Sequence, residues 1–485
     1  MIPSLQTGTV GFSKSERYLG EIAQRTFLGF WSHPNLFRSR AKELADLLVI
    51  FGDDIVVFSD KSCEFKEGEH GWSRWYRRAI LDSAHQLHRA SGWLRQRPTE
   101  IYMDAKCERR FPLHIPTAPS IHLVAVATGA REASRNRIGG DGSLVILTDS
   151  DGSTEFAVGD LDRTTDFVHV FDDVSLTLVL RELDTVSDFI AYLRKRAAFL
   201  RSGPTILADG ESDLLVHYLK SMNGAEHDFV VPPQDEPPGM IAIDGDWSDF
   251  VTSDAYRRKQ AADASSYVWD RIIEDVARHA DQGTLETGQE RGLAGTEELL
   301  RFFAKENRFS RRQLGRALIE IRRIGATGPE NVNVRTVLSP NVDDRAYVFC
   351  VLRRDETNEA IYRPARRAMV VARADIAKLR KDTLRVIVGV GVAPEGDPDQ
   401  SVDLVVREFP EPWPQEDREG VQRLCDRLGV PRNQRQLEET HWHDDEFPAP
   451  PNIPPRAPGY QVRDLKAAAK AKRKAQRASR KRNRR

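Results

Sequence analysis

Two aspartates and a lysine stand at the ends of a short apolar hairpin. Asp46 precedes one apolar run, residues 47–51, and Asp60 and Lys61 follow a second, residues 55–58. Gly52, Asp53 and Asp54 separate the runs. A Gly/Asp turn between two apolar runs predicts an antiparallel pair. Its ends would bring carboxylates and an ammonium group to one place. Such a set suits a hard divalent cation, since Mg2+ takes oxygen ligands, commonly one or two carboxylates plus water and substrate oxygens. A neighbouring lysine can steady an attacking water or a phosphate oxygen, and the metal absorbs developing charge. The chemistry is phosphodiester hydrolysis, with Mg2+ or Mn2+ as cofactor.

The elements that must position these groups are readable. A helical pattern covers 13–30, with Tyr18, Leu19, Ile22, Ala23 and Phe27 at three- and four-residue spacing. It ends at Trp31–Asn35, where Pro34 cannot continue a helix. A second helix spans about 72–96, carries Trp75, Ile80, Ala84, Leu87 and Leu94 on one side, and stops before Pro98. Strands are expected at 100–104 and 121–128.

Taken in order, these features resemble the core of the PD-(D/E)xK nuclease superfamily, most nearly its NERD-like and Holliday-resolvase-like branches. The resemblance covers residues 13 to about 110. That family places an acid on a helix, an Asp at a strand start, a (D/E)xK on the paired strand and often a Gln on the next helix. The resemblance therefore implies a restriction-endonuclease-like mixed sheet flanked by helices. Asp46 and Asp60 would be metal ligands, and Lys61 the lysine at the water or phosphate. Glu16 would be the helix acid, with Glu21 as second choice. Glu43, Ser59 and Gln86 would support the site. It implies a metal-dependent endonuclease acting on DNA or RNA. By analogy of fold alone it also suggests restriction or anti-phage defence.

One position departs from the pattern. In (D/E)xK the acid and lysine are two apart, and strand alternation puts them on one face. Here Ser59 holds that place, and Asp60 should point the other way. Three readings stay open. A bulge could swing Asp60 into the site. Ser59 could be a weak ligand, with Glu43 or Glu16 completing the shell. Or the domain keeps the fold without the chemistry and serves as a nucleic-acid-binding or protein-interaction subunit.

The rest of the chain is expected to be multidomain α/β, since 485 residues exceed one ordinary core. Domains are expected at 1–135, 140–235 (α/β), 245–328 (helical) and 330–431 (α/β), with a disordered Pro-rich and basic tail at 432–485. Within them, 144–147, 167–171, 176–180, 347–352, 369–372 and 386–392 read as strands, and 186–201 as a helix. An acidic Pro-rich linker is expected at 232–239. No apolar window is long enough to span a membrane. Met1 to Gly20 lacks an apolar run after a basic start, so no secretory signal is expected. Four scattered cysteines without a CxxC fit a reducing cytoplasm.

The net charge of −1 hides an asymmetry. Residues 466–485 hold 11 Lys or Arg and no acid, which leaves the remainder at −12. Lys470, Lys472, Arg473, Lys474, Arg477, Arg480, Lys481 and Arg482 are expected to contact nucleic-acid phosphates, DNA first, through counterion release. Arg311, Arg312, Arg363, Arg366 and Arg367 could add to them. A partner subunit or a second copy of the chain is also compatible with this composition. His441 and His443 have metal-ligand types but no scaffold. The acidic run 209–213 reads as a turn leading into a capped helix. No Walker, GxGxxG or GxSxG motif is present.

Overall fold

The predicted hairpin forms the centre of a five-stranded mixed sheet. The computed structural model describes residues 14–223, 226–230, 239–286, 288–354 and 359–433. Helix α1 (Lys14–Phe27) leads into β1 (Ser32–Ser39), β2 (Lys42–Phe51) and β3 (Asp54–Ser62). Strand β1 was not expected, because Pro34 reads as a break. It is an edge strand, where a missing backbone N–H costs no ladder bond. Next come α2 (Gly71–Tyr76), a π-helical turn (Arg77–Leu81) and α3 (Asp82–Gln96), which together fill the predicted 72–96 helix. The predicted strand at 100–104 is reduced to single bridges from Tyr102 to Phe37 and Arg110.

Strand β4 (Ser120–Thr128) pairs parallel with β3. After α4 (Arg131–Ile138), β5 (Val145–Leu147) and β6 (Ala157–Val158) belong to a second sheet. The chain then returns: β7 (Val168–Phe171) pairs parallel with β4 and completes the first sheet, in the order β1-β2-β3-β4-β7. The division expected near residue 140 is therefore crossed by the first sheet itself.

Residues 176–180, read as a strand, lie in helix α5 (Ser175–Glu182). Their alternating apolar pattern loses to a strong local start, since Asp172 Oδ1 accepts the Val174 and Ser175 amides, both at 2.9 Å. Helix α6 (Val186–Leu200) follows, capped by Thr185, whose Oγ1 accepts the Asp188 amide at 3.0 Å. Then come β8 (Thr205–Ala208), α7 (Glu211–Lys220), the short β9 (Met222–Asn223) and β10 (Glu226–His227), and β11 (Met240–Ile243). The second sheet runs β11-β8-β5-β6, with β11 and β8 parallel. Most of the expected linker at 232–239 lies outside the described residues.

Residues 247–327 are helical as predicted: α8 (Trp247–Thr252), α9 (Asp254–Asp263), α10 (Tyr267–Gln282), α11 (Gly292–Ala304) and α12 (Arg308–Thr327). The last unit pairs β12 (Val332–Leu338), β13 (Arg345–Leu352), β14 (Val386–Val392) and β15 (Asp403–Glu408) in that order. Helix α13 (Glu359–Arg380) makes the crossover between the parallel β13 and β14, and α14 (Gln415–Leu428) follows. Residues 369–372, read as a strand, are part of α13. An apolar run of four cannot be told from a helix by its period alone.

The protein is thus mixed α/β with several sheets. On one face of the first sheet, Leu48, Ile50, Ile55 and Val57 pack with Ile80, Leu87 and Leu94 of the π turn and α3. On the other, Leu47, Val49, Val56 and Phe58 pack with Phe27 of α1 and Phe189 of α6. This second core continues without a break to Trp269, Leu314, Tyr347 and Val390. No described helix is long and apolar enough to cross a membrane.

Candidate functional site

Strands β2 and β3 are antiparallel, with Leu47 opposite Phe58 and Phe51 opposite Asp54. Strand β3 pairs with β4 in one constant register from Asp54 to Ser62. An unbroken ladder preserves the two-residue alternation. Ser59 and Lys61 therefore continue the Ile55/Val57 face, which packs against α3. Asp60 continues the Val56/Phe58 face. The β2–β3 pairing ends at Leu47 and Phe58, and the adjacent Leu44 and Ala45 both pack in the α3-side core, so alternation does not carry on to Asp46.

The structure thus brings Ser59 and Lys61 to one face and leaves Asp60 on the other, with Asp46 at the end of the β2–β3 pairing. No bulge interrupts β3 along β4. The irregularity in this sheet lies between β1 and β2, at Leu36/Phe37 and Phe37/Ser39. Asp46 sits inside β2, not at its start, and is only 7 % exposed. Its Oδ2 accepts the Asp60 backbone amide at 2.5 Å. One carboxylate oxygen is thus committed to holding β3, since a charged acceptor makes a strong, orienting bond. Ser59 is fully buried, and its Oγ lies 3.5 Å from Ser83 Oγ on α3, which donates to the Ala79 carbonyl at 2.9 Å. In the place where the motif has an acid, two hydroxyls meet.

Glu43 and Gln86 also come together. With Arg38, Lys42 and Arg89 they line a groove of about 210 Å3 between the start of β2 and α3. Glu16 lies on α1, but its side chain is outside the described residues, as are the basic tail and His441 and His443. Arg311, Arg312 and Arg366, expected as phosphate contacts, are buried and serve the fold. Arg311 pairs with Asp270 and Arg312 with Asp263, each at 2.5 Å, and Arg366 with Asp403 at 2.6 Å. Arg363 pairs with Glu286, and Arg367 with Asp403 at 3.3 Å.

Whether these donors fit a metal can be tested by their chemistry. Near the end of β3 the Asp46 carboxylate is already bonded to the backbone, and the motif's acid position offers only the Ser59 hydroxyl. Among the described residues no group of three His, Cys, Asp or Glu is arranged to hold a metal ion. The described donors do not make the shell that the resemblance implies for Mg2+ or Mn2+.

A second set of carboxylates was not found by sequence reading. Asp209 follows β8 and Asp213 lies in the first turn of α7, while Asp244 and Asp246 follow β11. These parallel strands end side by side, which gathers the acids, and Asp141 joins from another loop. Burial, then the charges of Asp209, Asp244, Asp246 and Asp141, pushes the Asp213 carboxyl up to about 6. A Cβ on Gly245 would come within 2.4 Å of Asp213 backbone atoms, so only glycine permits this approach. The 209–213 run was expected to be a capping turn, but the cap is Gly210, which supplies no side-chain bond. Glu211 turns inward instead, accepting from Arg196 twice at 2.8 Å and from Tyr192 at 2.5 Å. The sequence signal was the pair of runs Asp209–Asp213 and Asp244–Asp246, which only the sheet order joins. Comparison with family models, curated proteins and solved structures finds no match to this chain.

Proposed function

We propose that this chain binds nucleic acid through its first unit, a nuclease-like hairpin that lacks the second metal-binding carboxylate. One observation carries the reading. Ser59 stands where the motif has its acid, buried against Ser83, and the neighbouring acid Asp60 lies on the other face of the sheet. Asp46 then acts as a brace for β3 through the Asp60 amide. Lys61, half-buried at the end of β3 on the α3 side, is a phosphate contact. The rival reading, metal-dependent cleavage of DNA or RNA, is favoured by the Asp46 carboxylate held against the end of β3, next to Lys61.

The test uses full-length protein with Asp46→Ala and Lys61→Ala. Calorimetry with Mg2+ and Mn2+ is run beside anisotropy titrations and cleavage assays on single- and double-stranded DNA and RNA. The expected result is salt-dependent nucleic-acid binding, weakened by Lys61→Ala, without metal binding that Asp46→Ala abolishes. Metal binding lost in Asp46→Ala, together with cleavage lost in Lys61→Ala, would establish a nuclease instead. Absence of nucleic-acid binding by wild type would overturn both.

A further inference from the structure

Several arginines among the described residues are committed to internal pairs. Arg308, Arg311, Arg312 and Arg366 are buried and bonded to aspartates. A cluster of cations at the start of β2 is placed differently. The β1–β2 turn carries Arg38, Arg40 and Lys42, and exposed Arg89 faces it from α3 across the groove. Among the described residues these four form no salt bridge, although Glu43 shares the groove with three of them.

The surface is built. Phe37 and Tyr102 exchange backbone hydrogen bonds at 2.8 Å, and the Ala41 amide donates to the Ala105 carbonyl at 2.9 Å, so the turn is clamped to the loop at 101–111. That loop is organised by Asp104, whose carboxylate accepts the amides of Lys106, Glu108 and Arg109 at 2.9, 3.3 and 2.7 Å. Its charge is spent on backbone, and Lys106, Arg109 and Arg110 project from an ordered support. Trp93 lies between the two parts, with the guanidinium of Arg97 at 4.9 Å and that of Arg38 at 5.7 Å from its ring. Arg38, Lys42 and Arg89 meet at a groove of about 210 Å3, and the loop's cations add to the same exposed surface. That pattern suits a row of phosphates better than a single anion.

We infer that the surface formed by the β1–β2 turn, the 101–111 loop and α3 binds the sugar-phosphate backbone of a nucleic acid, with one phosphate in the Arg38–Lys42–Arg89 groove and Gln86 donating to it. This rests on the function proposed above and places the contact. The groove opens on the α3 side, the side of Ser59 and Lys61. At about 3.3 Å per strand residue, Lys42 lies roughly 13 Å along β2 from Asp46. Recognition would be by charge and not by base identity, because the groove itself has no aromatic side chain.

The test uses the full chain with Arg38→Gln/Lys42→Gln/Arg89→Gln and, separately, Arg89→Gln, an exposed helix position whose change leaves the fold alone. Anisotropy titrations with a fluorescent 30-nucleotide DNA, single- and double-stranded, are run from 50 to 200 mM salt. The expected result is a loss of affinity of about tenfold or more in the triple variant, with a salt slope shallower by about 2–3, close to 0.9 for each phosphate contact removed from duplex. Arg89→Gln should lose about one unit of slope. Wild type cross-linked to photoreactive DNA should yield adducts in peptides covering 38–42 or 101–111, whatever the variants do.

If wild type binds and neither variant changes affinity or slope, and adducts fall only in 466–485, the basic tail carries binding. The groove assignment then fails together with binding through the first unit, whereas adducts around Lys61 and none in 38–42 or 101–111 would overturn the groove assignment alone. If wild type binds no nucleic acid, the functional reading fails with it. Equal displacement of DNA by polyglutamate at matched charge would mark the surface as one for acidic polypeptides and overturn the nucleic-acid assignment.

Discussion

Two regions gather carboxylates, and they do it by opposite means. At the β2–β3 hairpin the acids come from neighbouring positions on paired strands, so the ladder decides which face each takes. At the ends of β8 and β11 the acids come from loops at 141, 209 and 244–246 and from the first turn of α7, so the sheet order decides which ones meet. In the first region a displacement of one residue, from 59 to 60, moves a carboxylate to the other side of the sheet. In the second, sequence position matters little, and like charges crowd until one aspartate is raised to about 6. Spacing read from sequence therefore carries information at a ladder and almost none at loop ends.

The largest effect is expected where the second region is anchored. Glu211 and Arg196 are each nearly fully buried and bond each other and Tyr192. Burial and the neighbouring Arg196 also hold His169 well below its usual range, so it is neutral there. Glu211→Ala leaves Arg196 without its carboxylate and should destabilise by about 3–5 kcal/mol, measured by urea unfolding. A loss under 1 kcal/mol would show that the anchor is not electrostatic.

Next in size is a change that gives the first region what the ladder withholds. Ser59→Asp puts a carboxylate at the motif's acid position, in a fully buried place beside Ser83. It should cost about 2–4 kcal/mol without metal. Mn2+ should recover part of that loss in a thermal-shift measurement and leave wild type unmoved. Equal Mn2+ effects in both proteins would break the comparison, because wild type would then already hold a shell.

The smallest effect sharpens the second region. Asp213 has a raised pKa in the folded protein, so the native state binds more protons than the unfolded one between about pH 4 and 6. Its ionisation therefore lowers stability as pH rises through that window. Asp213→Asn should match wild type near pH 4 and exceed it by about 1 kcal/mol at pH 7–8, allowing for partial exposure. Melting temperature against pH reads this directly. Parallel curves would mean that the neighbouring acids are too well solvated to repel it.

These contrasts also explain what could be read in advance. The hairpin, the helix at 72–96, β4, α6, the helical region and strands β13 and β14 follow from period and punctuation alone. The departure at Ser59 was legible as well, because it depends only on alternation. Strand β1 was hidden by Pro34, whose tolerance depends on being at an edge. Residues 176–180 and 369–372 were misread because short apolar runs lack a distinctive period, and the Asp172 bonds that settle the first come from side-chain geometry. The pairing of Arg366 with Asp403, and the meeting of Glu43 with Gln86, depend on crossovers that no local pattern announces.

The return of β7 to the first sheet, after β5 and β6 have joined the second, limits how this protein can be divided. A fragment ending at residue 135 would lack β7 and leave the row of N–H and C=O groups on β4 open along Leu123–Val126, a bare edge prone to self-association. A fragment starting at 140 would carry a parallel strand with nothing to pair it. The two sheets are therefore laced by the chain itself. Genetic exchange between relatives of this protein would have to move residues 14–243 as one cassette, or rebuild a sheet edge at every crossover.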